Sequence, residues 1–257
     1  MMPAARHDLL VLADSDIRVA RDYLARVISP LTDDTVGIVT CTYRGRPRAG
    51  IWSRLGSIFI NDWFVPSVRL AAFGGSRAFA FGATIAMRRE VLSRIGGFKS
   101  IVNHLADDYR LGELTRRAGL RTVLSDVVVE TMVCEITFGD LARHELRWLR
   151  TIRALNPLGF SFLFMTFSLP MAAIGSVLAQ GSWSVLAMLA ATLTARGLLH
   201  LKTRGPEAHP GLMLLLPWRD ILSLGLWAWS FVTRRVRWRD AHFDLARDGS
   251  ARLMEGV

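Results

Sequence analysis

The sequence predicts a mixed α/β domain followed by a membrane region, and three observations carry that division. Over residues 1–156 short apolar runs end in polar loops and alternate with amphipathic stretches, as strands and their covering helices do. After Asn156 the apolar residues crowd together with few charges between them, and from Leu158 to Leu178 there is no charge at all. Of the 257 residues 51% are hydrophobic, and the mean hydropathy is +0.28, an excess concentrated in the second part. Domains over 1–156 and 157–257 are therefore expected.

From His7 to Leu12 the run HDLLVL reads as a buried strand ending at Asp14-Ser15-Asp16. Ile17 to Val27 is helix-like and closed by Pro30, and Val36 to Thr42 reads as a second strand. Ala49 to Val68 carries Ile51, Leu55, Ile58 and Phe59 at helical spacing, with Trp52, Trp63 and Phe64 around them and Arg48 and Arg54 beside them. Such a helix lies either at a headgroup boundary or in an ordinary core, and the spacing does not choose. Phe79 to Met87 is a further strand candidate. Leu111, Leu114 and Ala118 mark a short helix ending at Gly119, and Arg121 to Val133 supplies one or two more strands.

Thr137-Phe-Gly-Asp140 matches a capping box. In the helix that it opens, Leu141, Trp148, Ile152 and Leu155 recur on one face and Arg143, Arg147 and Arg150 on another, up to Asn156-Pro157. Leu158 to Leu178 is long enough to cross a hydrocarbon core of ~30 Å and is the foremost transmembrane segment. Trp183 to Leu201, with Arg196 inside it, is a second. Gly211 to Val232 is interrupted by Pro217, Arg219 and Asp220; a mid-segment Arg-Asp pair is costly in lipid unless it faces protein, so this stretch is not expected to cross fully. Gln180-Gly-Ser182 has no basic residue, whereas Lys202, Arg204 and Arg234-Arg-Val-Arg237 do. The positive-inside rule then gives two crossings: a multi-pass protein of the inner or plasma membrane with its α/β domain in the cytoplasm.

The formal charge is +10 and the pI near 11.0, and all 32 basic residues except Lys99 and Lys202 are arginines. That balance suits an anionic membrane surface or a phosphate-bearing substrate. Nucleic acid is excluded as a partner, because no zinc-finger spacing, RNP-like aromatic strand or helix-turn-helix is found. Two cysteines, Cys41 and Cys134, without CxxC spacing or a secretory signal, read as reduced packing residues.

Three groups of residues carry chemistry. Asp14 and Asp16, one residue apart after a strand, are able to hold a hard divalent cation that also bridges a diphosphate, although aspartates after strands are also common turn formers. Asp107 and Asp108 open a helix, where one serves as a cap and the dipole keeps a carboxylate ionised, as a general base requires; Asp107 suits the first role and Asp108 the second. His144, Arg147 and Trp148 lie at i, i+3 and i+4, so an Arg for phosphate and a Trp for stacking share one helix side. The plain alternative is a basic amphipathic helix resting on a bilayer.

Taken together, Asp14-Ser-Asp16, Phe-Gly-Ala-Thr at 81–84, Ile-Gly-Gly-Phe at 95–98, Ala-Asp-Asp-Tyr at 106–109 and Arg147-Trp148 resemble the ceramide glucosyltransferase family. Within it the chain is most similar to the bacterial glycosyltransferases associated with hopanoid biosynthesis, from about Arg6 through Trp238-Arg239 and Phe243. The resemblance implies a GT-A fold with Asp14 and Asp16 in the metal and donor motif and Mg²⁺ or Mn²⁺ as cofactor. It makes Asp108 the catalytic base and matches Arg147-Trp148 to the (Q/R)xxRW motif near the donor diphosphate. Position 144 departs from that motif, being His, which still donates a hydrogen bond.

The reaction so implied is an inverting transfer from a UDP-sugar to a hydroxyl of a hopanoid or ceramide-like lipid, with Asp14, Asp16, Asp107, His144, Arg147 and Trp148 on the donor and Trp52, Trp63 and Phe64 as the acceptor's entry surface. A processive polysaccharide synthase shares these motif types but needs more membrane helices, and a catalytically inactive fragment or partner subunit is the reading from another class. Asp14 stands only thirteen residues after Met1. A βαβ unit takes roughly 30 residues or more, so the GT-A domain is expected to be incomplete at its front.

Overall fold

The computed structural model describes residues 5–180, 182–204, 210–238, 241–246 and 249–254. It divides into two compact units, Met1–Arg46 with Phe64–Met132, and Pro47–Trp63 with Val133–Val257.

The first unit holds a five-stranded sheet in the order β1-β4-β3-β5-β2. Its strands are β1 (Leu9–Ala13), β2 (Ile17–Arg18), β3 (Val36–Pro47), β4 (Thr84–Arg88) and β5 (Arg121–Val133). β4 runs antiparallel to both β1 and β3, with Leu12 opposite Ile85 and Val39 opposite Ala86, and β2 is antiparallel to β5. Side chains alternate across the sheet. Ile38, Ile85 and Met87 enter a core with Leu10, Leu92 and Leu111, while Val39, Cys41 and Ala86 enter another with Val27 and Val129. With both faces covered, the strands read as continuous apolar runs, which is why 7–12 and 36–42 are legible.

Helices α1 (Tyr23–Ile28), α3 (Val65–Phe73), α4 (Arg89–Arg94) and α5 (Asp107–Arg117) belong to this unit, and α2 (Ile51–Phe59) to the other. Two glycines seat α5. A Cβ on Gly37 would lie 2.4 Å from the Thr115 methyl, and one on Gly112 would lie 2.9 Å from the Ala80 Cβ. Their absence lets the helix approach β3 and the segment before β4, which fixes where Asp107 and Asp108 emerge.

Three expected elements differ. Ile17 to Val27 is not one helix: the sheet takes Ile17 and Arg18 opposite Thr131 and Glu130, and the helix begins only at Tyr23. Phe79 to Met87 is strand only from Thr84, because the Thr40 hydroxyl accepts from Phe81 N–H (2.9 Å) and donates to its carbonyl (3.0 Å), standing in for a strand partner. Ala49 to Val68 is broken by a π-helical turn at Ile60–Phe64. Pro66 follows in the first turn of α3, and a proline can neither donate nor tolerate the carbonyl four residues back.

The second unit contains α2, α6 (Phe138–Leu155), α7 (Pro157–Ser161), α8 (Ser168–Leu178), α9 (Trp183–Thr203) and α10 (Leu216–Ser230), with an antiparallel sheet β6 (Arg235–Trp238), β7 (Ala241–Leu245) and β8 (Ala251–Leu253). The capping box forms as expected, Thr137 accepting from Asp140 N–H and Asp140 from Thr137 N–H. Ala142, Leu146 and Leu149 of α6 pack with Phe160 and Leu226.

The membrane region departs from the expected spans. Leu158 to Leu178 is not one helix but α7, a 3₁₀ turn at Leu163–Thr166 and α8. Pro170 sits in the first turn of α8, where its ring excludes helix through the preceding turn. Among the described residues only α9 is long and apolar enough to cross a membrane, and most of it is exposed, so a multi-pass arrangement has no further support. Pro217 opens α10 after a 3₁₀ turn.

The mid-segment Arg219 and Asp220 face protein. Arg219 forms a fork with Glu145 at 2.9 and 2.6 Å, and its guanidinium lies 4.8 Å from the Phe59 ring centre. Asp220 accepts from Arg196 at 3.1 Å, and Arg196 also reaches Asp62 at 3.0 Å. Asp62 further binds His200 Nδ1 at 2.7 Å and the Thr203 hydroxyl. These charges are buried and paired, as buried charges must be.

Candidate active site

In the first unit Asp108 is the centre. Its Oδ2 accepts the Gly82 N–H at 2.8 Å and its Oδ1 the Tyr109 N–H at 2.7 Å. Gly82 lies in the Phe-Gly-Ala-Thr segment before β4, whose Thr84 pairs with Ala13, the residue before Asp14. The two motifs are therefore neighbours through the sheet. Burial pushes the Asp108 carboxyl up from 3.8 to about 6, with the carboxylates of Asp107 and Asp14 adding to it and the two N–H groups opposing. Desolvation outweighs the amides, so this carboxyl binds a proton more strongly than an ordinary aspartate.

Asp107 is exposed, and its Oδ1 accepts the Asp108 N–H at 2.9 Å. The N-cap position belongs to Ala106, so Asp107 stands one residue inside the helix rather than at its cap. Asp14 and Asp16 are exposed on the loop between β1 and β2, and the Asp16 carbonyl accepts from Met132 N–H at 3.1 Å.

In the second unit His144, Arg147 and Trp148 lie half-buried on one side of α6. The His144 ring stands edge-on to Trp148 at 4.8 Å, and its Nδ1 is 2.6 Å from Glu135 Oε1. Glu135 is a buried partner that the sequence does not announce; its other oxygen, Oε2, is buried without a hydrogen-bond partner.

The acceptor candidates are divided between the units, Trp52 and Trp63 in the second and Phe64 in the first. Trp52 packs on Phe138 at 5.4 Å, while Trp63 stacks on Phe59 at 4.8 Å and donates to Thr166 Oγ1 at 2.8 Å. In the first unit Phe64 stacks on Tyr43 at 4.8 Å and meets Phe81 edge-on at 5.3 Å. Phe81 in turn stacks on Phe79 at 5.7 Å, so this ring series passes through the residue next to Gly82. Within the first unit Phe64 is thus linked to the segment whose Gly82 N–H holds Asp108. Cys41 is buried as expected, but Cys134 is exposed.

The family description of glycosyl transferase family 21 matches residues 1–251. The chain belongs to that family. Family 21 enzymes are glycosyltransferases of the GT-A fold, so the α/β class with its GT-A motifs stands, and so does the apolar helical region near the C-terminus.

The DxD loop presents two exposed aspartates, Asp14 and Asp16, whose oxygens are of the type a hard divalent cation takes. No group of three or more His, Cys, Asp or Glu side chains placed to share a metal occurs among the described residues. A cation on Asp14 and Asp16 would then complete its shell from diphosphate oxygens and water, as Mg²⁺ does when held by one or two carboxylates.

Proposed function

We propose that this family 21 glycosyltransferase moves a hexose or N-acetylhexosamine from a UDP-sugar to a hydroxyl of a polycyclic or sphingoid lipid, hopanoid or ceramide-like, with inversion at the sugar carbon. The observation that carries the reading is Asp108. A carboxyl poised near 6 is ionised at neutral pH and binds a proton more strongly than an ordinary aspartate, which is what removal of a hydroxyl proton asks of a general base. The Gly82 and Tyr109 amides hold its two oxygens in place. As the acceptor oxygen attacks, its proton goes to Asp108 and the bond from sugar to UDP breaks.

Asp14 and Asp16 are assigned to the cation, which when bound would neutralise charge on the leaving diphosphate. Arg147, with His144 and Trp148 beside it, is assigned to the donor; a guanidinium suits phosphate oxygens and the indole offers an apolar wall. The Glu135 carboxylate fixes the His144 ring. The ring series through Phe81 supports an apolar acceptor, and the exposed apolar surface of α9 supports a membrane address; the assignment of Gln180 to Ser182 to the outside and of the basic segments after Thr203 to the inside follows from their charges alone. The test is an assay of membranes carrying the complete gene with radiolabelled UDP-sugars and separation of the lipid products. Label that stays in water-soluble products overturns the lipid acceptor, and label that grows into polymer favours a polysaccharide synthase.

A further inference from the structure

The second unit carries a large cavity that the transfer reaction does not use. It measures about 720 Å³ and lies between the C-terminal end of α6, the start of α7, the end of α10 and the segments flanking the small sheet. Three arginines line it, Arg150, Arg153 and Arg234, and no carboxylate does among the described residues. Arg150 spends Nη1 on the Arg235 carbonyl at 2.8 Å, while its Nε is buried with no hydrogen-bond partner. Arg153 donates to the carbonyls of Ser230 and Thr233, and its guanidinium lies 5.5 Å from the Phe231 ring centre. Arg234 makes no side-chain hydrogen bond or ion pair among the described residues and is exposed.

Such a set is electrostatically incomplete. Burial lowers the proton affinity of both Arg150 and Arg153, and in each case the next cause is another arginine: Arg153 for Arg150, Arg234 for Arg153. Backbone carbonyls satisfy hydrogen bonds but bring no negative charge. Elsewhere in this unit buried arginines have carboxylates, as Arg219 has Glu145 and Arg196 has Asp220. Among the described residues no carboxylate answers these arginines, and three arginines lining one cavity suit phosphate.

The rim says where that phosphate comes from. Phe231 and Val232, which line the cavity, are exposed, and so are Leu158 and Phe162 on and beside α7. Apolar side chains around a basic pocket match a lipid whose headgroup enters and whose chains stay outside. We propose that this cavity is a binding site for the phosphate headgroup of an anionic phospholipid. The site rests on the membrane address proposed above but not on the transfer reaction, and its test needs neither sugar donor nor bilayer.

Calorimetry on the purified full chain in a neutral detergent would compare dihexanoyl phosphatidylglycerol, dihexanoyl phosphatidylcholine and glycerol phosphate. Phosphatidylglycerol should bind best, and Arg234→Gln and Arg150→Gln should each weaken it by about tenfold, the scale of one lost charge-assisted hydrogen bond. Arg234 is exposed and holds no structural bond, so its variant keeps the fold even if Arg150→Gln does not. Arg94→Gln, an equal charge loss on the first unit, should leave binding unchanged. Phosphatidylcholine binding as tightly, unchanged binding in Arg234→Gln, or an equal loss in Arg94→Gln overturns the site. Glycerol phosphate binding as tightly as the lipid overturns the lipid and makes the ligand a soluble phosphate.

Discussion

Asp108 shows how far a single residue can be read before its surroundings are known. Two adjacent aspartates at a helix start are legible in sequence, but the burial that raises the carboxyl to about 6 is not, nor is the Gly82 amide, 26 positions away, that opposes it. The folded value lies above the unfolded one, so for this group stability is greatest where it is protonated and falls as pH rises from about 4 to about 6. Without divalent cation, the melting temperature of Asp108→Asn relative to the parent should therefore climb across that window and level off above it. A difference that is flat with pH would show that Asp108 titrates normally. In turnover, Asp108→Asn should lose about 10²-fold or more in kcat with donor affinity little changed, measured by initial rates and calorimetry. Cysteine chemistry separates in the same way. Burial pushes the Cys41 thiol up to about 11, whereas Cys134 is exposed, so iodoacetamide and mass spectrometry on the folded chain should find Cys134 alkylated and Cys41 intact. Nothing in the residue types distinguishes the two, because the difference lies in where the fold places each: Cys41 inside the sheet on β3, Cys134 just past the end of β5.

At the scale of elements, strands were legible where both sheet faces are covered, and helices where a capping box or a glycine marks an end. What escaped was of two kinds: helix breaks ahead of Pro66 and Pro170, whose local effect the apolar pattern hides, and the three small strands after Arg234, which exist only through pairing with one another. Val236, buried between exposed Arg235 and Arg237, carries an alternation that could have revealed the last of these. Arg219 illustrates the energetic side. The sequence says only that an Arg-Asp pair in an apolar stretch must face protein; the structure supplies Glu145 on α6 as the actual partner, 74 positions away. Removing one member of such a buried pair strands the other, so Arg219→Met alone should cost about 3–5 kcal/mol. The double variant Glu145→Leu with Arg219→Met should recover most of that loss, because it leaves no unpaired charge. Thermal or denaturant unfolding in detergent measures both, and a double variant no better than the single would mean that the pair supplies more than mutual neutralisation.

For the whole molecule, the membrane region was legible as composition and not as architecture. A charge-free run promised the first crossing, yet the longer apolar helix is α9, whose interior Arg196 made it the weaker candidate. Its charge is paired by Asp220 and Asp62 near the helix's C-terminal end, which leaves the rest of α9 apolar and exposed. At 1.5 Å per residue its 21 residues reach about 32 Å, enough for a core of ~30 Å, whereas the 11 residues of α8 reach only about 16 Å. The two helices pack against each other, and Asp62 fastens α9 through Arg196, His200 and Thr203. The hairpin's connection, near Ser182, lies at the end of α9 away from that anchor, although α8 alone is too short to cross. With Cys41 and Cys134 replaced by serine, the charge-based orientation proposed above has Ser182→Cys react with an impermeant maleimide in intact cells, and Arg237→Cys only after permeabilisation. Protection of position 182 until permeabilisation would make the hairpin re-entrant rather than spanning. Labelling of position 237 in intact cells would reverse the orientation and remove the proposed site from the compartment of its UDP-sugar.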